Sequence, residues 1–138
     1  MIPQPGQALT DLALRLLGNI APNTTSTFHA ADTALIAQLL LTLGQEFERA
    51  AAARMQDISE LKDLLRTAPC EAPAKAAREA FLDAEPESLH LSAINVTHDS
   101  GMRLLIELHA WAERHDATLN KRIWTFLRAH SERHKFEF

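Results

Sequence analysis

Tyrosine is absent from this 138-residue chain, valine occurs once, and only 4 glycines and one cysteine are present. Scarcity of valine and tyrosine argues against β-sheet, and four glycines are too few for the tight turns of a chain built from hairpins. The lone Cys70 cannot form an internal disulfide. No apolar run approaches the roughly 20 residues needed to cross a bilayer; the longest, around Leu39-Leu40-Leu41, stops at Gln45 and Glu46. The N-terminal stretch Met1-Ile2-Pro3-Gln4-Pro5-Gly6 lacks the basic flank and apolar segment of a signal peptide. These absences lead to the expectation of a cytoplasmic protein with no membrane partner, in which the Asn23–Thr25 and Asn95–Thr97 triplets are not glycosylated. Excess positive charge is lacking as well. A net charge of −4 argues against a general affinity for nucleic acid.

What is plentiful is alanine and leucine, together about a third of the chain and both strong helix formers. With 46% hydrophobic and 23% charged residues the composition is that of an ordinary globular chain. It predicts an all-α fold in one helical domain spanning residues 1–138. Charge is unevenly placed. Residues 71–87 are mainly acidic against Lys75 and Arg78, and the last segment is basic through Lys121, Arg122, Arg128, Arg133 and Lys135. Both read as solvated helix faces.

Apolar periodicity predicts helices near 7–17, 28–67, 73–84, 88–115 and 117–134. In the second, Ile36, Leu40, Leu43, Phe47, Ala51, Met55, Ile58, Leu61 and Leu65 recur at a mean spacing of about 3.6, the period of a straight helix. Its phase survives Gly44 and the Asp57-Ile58-Ser59 stretch, so one continuous helix of roughly 60 Å is expected. The segment Pro69–Pro73 breaks the chain, with Pro73 placed to open the third helix. In the fourth, Leu91, Ile94, His98, Gly101, Leu105, Leu108 and Ala112 form the stripe, although Leu89–Val96 also carries a strand-like alternation. Asp116 is a natural cap for the fifth. The expected architecture is an up-and-down bundle of about four helices with a short N-terminal helix laid against it.

Seven histidines are the one unusual chemical resource. The fourth and fifth helices are joined so tightly that they must form an antiparallel hairpin, whose facing residues have numbers summing to about 232. His98 then lies level with His134, and His130 shares a face with His134 four residues away. The three imidazoles His98, His130 and His134, with Asp99 or Asn95 supplying oxygen, make a candidate zinc or iron site. The paired Glu-x-x-His elements of a di-iron carboxylate bundle are not supplied. Cys70 sits beside Glu71, which disfavours a reactive thiolate. Gly-rich phosphate loops and nucleophile elbows are also lacking, so an enzyme is not the expectation.

A second helix longer than its partners cannot bury its whole stripe within one chain. The residues therefore point to a homodimer, or to a protein partner, with Leu40 and Phe47 in the contact. Trp111 and Trp124 sit at the edge of the hairpin core, where an indole suits an interface or a pocket wall. The leading expectation is a non-enzymatic accessory or interaction protein, probed against the alternative of a small-ligand or metal-binding bundle using His98, His130 and His134.

Overall fold

The computed structural model describes residues 4–137. The Met1–Pro3 part of the stretch read for a leader lies outside them. Among the described residues the fold is all-α, with no strand and five α-helices: α1 (Pro5–Arg15), α2 (Thr27–Arg66), α3 (Lys75–Asp83), α4 (Leu91–His115) and α5 (Ala117–His134). None of these helices is long and apolar enough to cross a membrane. The described residues pack as two compact units, residues 4–50 with 136–137, and residues 51–135.

In the first unit, α1 starts at Pro5, two residues earlier than the apolar pattern predicts, because a proline in the first turn forfeits no helical hydrogen bond. The expected stop at Gly18-Asn19 does not occur. The chain continues through one wide π-type turn (Leu16–Ile20) and a 3₁₀ turn (Ala21–Asn23). Ser26 then caps α2, its Oγ accepting from the His29 backbone N–H at 3.4 Å. Phe136 and Glu137, beyond α5, belong to this unit. Gln45 Nε2 donates to the Glu137 carbonyl (2.6 Å), the Glu137 N–H donates to Gln45 Oε1 (2.9 Å), and the Arg49 guanidinium lies 5.1 Å from the Phe136 ring centre.

Here the α2 stripe is left largely uncovered. Ile36, Leu43 and Phe47 are exposed and Leu40 is half-buried, whereas Ala37 and Gly44 are buried. The reason is steric. A Cβ on Gly44 would stand 3.1 Å from the Gly6 carbonyl oxygen and 3.2 Å from Thr10 Oγ1, so α1 approaches α2 through small residues. A helix cannot turn both its small face and its large face toward one neighbour.

The second unit buries its large side chains. From α2, Ile58, Leu61, Leu64 and Leu65 pack with Phe81 of α3, with Ile94, Leu105, Leu108 and Ala112 of α4, and with Leu119, Ile123 and Phe126 of α5. The α4 stripe is the one read from periodicity, except that Leu91 at its start is exposed. Gly101 is needed where α4 passes closest, since a Cβ there would sit 2.5 Å from Phe81 Cζ and 3.0 Å from Leu61 Cδ1. Asp116 caps α5 as expected, accepting from the Leu119 N–H at 2.9 Å.

Two boundaries move. α4 opens at Leu91 rather than Ser88: Ser88 Oγ accepts from the His90 N–H in a local turn that competes with the helix. The helical reading of Leu91–Val96 prevails over the strand alternative. α3 opens at Lys75, with Pro73 outside it and Ala74 in the left-handed region (φ 56°). Arg78 accounts for that geometry. It is 5% exposed, and its guanidinium donates to the carbonyls of Pro73 (2.9 Å), Pro69 (3.0 Å), Ala72 (3.0 Å) and Ala68 (3.3 Å). The reading of Arg78 as part of a solvated charged face is therefore corrected. It is a buried cation that pins the loop before α3.

Candidate metal centre

The site lies wholly in the second unit and draws on three helices. Asp57 stands one turn before Leu61 on the buried face of α2, and its side chain is 0% exposed. His98 occupies the core stripe of α4 between Ile94 and Gly101. His130 and His134 are stacked one turn apart near the end of α5.

All three imidazoles converge on one oxygen. His134 Nε2 lies 2.6 Å from Asp57 Oδ2, His130 Nδ1 2.9 Å and His98 Nε2 3.1 Å. Oδ2 and the three nitrogens all fall within 4.8 Å of one another. His130 sits level with the carboxylate and offers its near nitrogen, whereas His134, a turn further along, reaches back with its far one. The His98 and His130 rings stack at 6.0 Å, and Phe126 stacks on His130 at 5.9 Å, which fixes the ring plane from the core side.

A surrounding set of polar groups orients these four. Arg133 Nη1 donates to Asp57 Oδ1, while Nη2 donates to Glu60 Oε1 at 2.5 Å. One carboxylate oxygen of Asp57 is thereby committed to a guanidinium and the other is left for the imidazoles. His98 Nδ1 faces Asp99 Oδ1 at 3.3 Å, so its two nitrogens point at two different carboxylates. Each arrangement leaves its mark on proton affinity. Burial pushes the Asp57 carboxyl up, but hydrogen bonds from His98, His134 and His130 outweigh it and hold the group well below the usual carboxylate range. The hydrogen bond to Asp57 raises His98 above its ordinary value against the opposing pull of burial, and Asp99 adds to the rise.

The hairpin register therefore places His98, His130 and His134 together as the sequence predicts, and supplies a different oxygen. Asp57 takes the position expected of Asp99 or Asn95. Asp99 contacts His98 from behind, and Asn95 Oδ1 is a buried acceptor with no hydrogen-bond partner. In sequence Asp57 marks only a place where the helix could break. Its position four residues before a core leucine was the available signal. Arg133, read as one of several solvated basic residues, turns inward instead.

The remaining candidates are dispersed. Trp111 is half-buried against the core and stacks on His115 at 5.0 Å; Trp124 is exposed and meets His109 edge-on at 5.3 Å. Leu40 and Phe47 belong to the first unit. No family model, curated protein or solved structure matches the chain.

Proposed function

We propose that this protein binds one divalent transition-metal ion through Asp57 Oδ2, His98 Nε2, His130 Nδ1 and His134 Nε2, with zinc as the leading occupant and iron as the second. The observation that carries this reading is the crowding of three imidazole nitrogens around a single carboxylate oxygen. A carboxylate offers about four lone-pair sites over its two oxygens, so Oδ2 has about two to share among three donors. A cation at the centre of the four atoms removes the conflict, because deprotonated nitrogens then aim lone pairs at the ion.

Spacing supports the same reading. Tetrahedral zinc with ligand bonds of about 2.0–2.1 Å sets its donors roughly 3.3 Å apart, wider than the 2.6, 2.9 and 3.1 Å separations at Asp57 by less than an ångström. Histidine ligands are commonly oriented by a carboxylate on the opposite ring nitrogen, which is the position of Asp99 behind His98. Four protein donors fill a tetrahedral ion and leave no place for substrate. This favours a structural or carried ion that ties α5 to α2 and α4, rather than metal-dependent catalysis.

Chelator-stripped protein titrated with zinc and with cobalt(II) tests the proposal. One ion per chain is expected, with the intense visible absorption of tetrahedral cobalt, displacement of cobalt by zinc, and loss of both in His134→Ala. At a free zinc concentration 100-fold above Kd the folded state gains about 2.7 kcal/mol. Absence of stoichiometric uptake of zinc, cobalt or iron(II), with an unchanged melting temperature, would refute it.

A further inference from the structure

The first unit carries an independent inference, which does not rest on the metal. Its fully buried residues are Gly6, Ala13, Ala37, Gly44 and Ala50, all small. Its large apolar side chains point the other way. Phe28, Leu35, Ile36, Leu39, Leu43 and Phe47 on α2 keep between 46% and 75% of their surface exposed. At about 100° per residue these six fall within one arc of roughly 120°, on the side of α2 away from Ala37 and Gly44. The pair α1–α2 thus spends its contact on glycine and alanine and leaves the hydrophobic face of α2 uncovered.

We propose that this face of α2, from Phe28 to Phe47, pairs antiparallel with the same face of a second copy of the chain, about a two-fold axis between residues 37 and 38. Three observations select that occupant. The first is area: the six side chains offer roughly 650 Å² per copy, close to the roughly 800 Å² per partner of a standard stable interface once a polar rim is added.

The second is order along the helix. The face is partly self-mirrored: Phe28 and Phe47, and Ile36 and Leu39, are equidistant from the same midpoint, and Leu35 mirrors the half-buried Leu40 at its border. A two-fold axis there sets each against its mirror position, the self-complementarity a symmetric interface demands. In that register Glu46 meets His29 and no acidic residue opposes another, while Asp32 lies within the same arc and faces Leu43.

The third is charge. Between Arg15 and Arg49 there is no Lys or Arg, while Asp32, Glu46 and Glu48 are present. Amphipathic helices that lie on anionic lipid, and surfaces that bind nucleic acid, carry basic flanks that this one lacks.

Sedimentation of the whole protein is expected to give a mass rising with concentration to twice 15.4 kDa. Leu39→Glu, which places two charges in a two-fold interface, should weaken dimerisation on the order of 100-fold while leaving the helical circular dichroism unchanged. Orientation is read in a Cys70→Ser background by mixing Phe28→Cys with Phe47→Cys under mild oxidation. Antiparallel pairing yields the mixed 28–47 disulfide and little of either 28–28 or 47–47. A monomeric mass at every concentration, preferential 28–28 and 47–47 crosslinks, or monomers floating with neutral phosphatidylcholine vesicles would each overturn the proposal.

Discussion

Replacing Asp57 by Asn keeps the shape of the side chain and removes its charge, which isolates what the carboxylate does in metal-free protein. Arg133 and His98 then face an amide in place of their countercharge. Removing one member of a fully buried ion pair costs about 3–5 kcal/mol. The partners here retain between 11% and 25% of their side-chain surface and can turn toward water, so the low end applies, about 3 kcal/mol. For a chain of this size that lowers the melting temperature by roughly 10 °C. The pH dependence fixes the cause. Asp57 has a lowered folded pKa, so its contribution is complete above the ordinary carboxylate range and is the same at pH 6 and pH 8. His98 has a folded pKa raised above 6.5, so its contribution is complete below 6.5 and is lost as pH rises through the folded value. The gap between wild type and Asp57→Asn should therefore be widest near pH 6 and narrow as pH rises through the folded value of His98. Urea unfolding in the presence of chelator, followed by circular dichroism, measures both. Equal midpoints at pH 6, or a gap that widens with pH, would refute the electrostatic account of this cluster.

Two further expectations follow from neighbouring groups. Asp99→Asn removes the carboxylate behind His98 and should weaken zinc binding about 10-fold, the lower end for such orienting residues because Asp99 is largely exposed, with little change in metal-free stability; competition with a chromogenic chelator reads the affinity. Arg78→Ala strands four loop carbonyls and should cost about 3 kcal/mol in urea unfolding, and Arg78→Lys should recover only part of it, since one ammonium cannot span the carbonyls that a planar guanidinium reaches.

How far the sequence could be read depended on what kind of constraint each feature obeys. The meeting of His98 with His130 and His134 was legible because α4 and α5 are joined through Asp116 alone, so register follows from arithmetic on residue numbers. Asp57 was not, because the chain between α2 and α4 runs through a loop, α3 and another loop, and no counting rule survives that path. Periodicity located the apolar stripe of α2 correctly and said nothing of what covers it. It lies against the core at Ile58, Leu61 and Leu65 and open at Ile36, Leu43 and Phe47. Charge was the most misleading signal. Arg78 and Arg133 look in sequence like the other basic residues around them, and only the fold reveals that one holds carbonyls and the other a buried carboxylate. The π-type turn after α1 had no signal in the residues at all.

The buried carboxylate also governs how the last helix can seat. Were α5 to slide by a single turn, Phe126 would arrive where His130 stands, and an aromatic ring would confront a desolvated anion. The core resists the same slip, because it would carry the charged Arg122 into the buried place of Phe126. The one-residue link to α4 and the apolar core set the berth of the helix, and one aspartate, 77 positions upstream of its furthest histidine, adds a polar constraint to the same place.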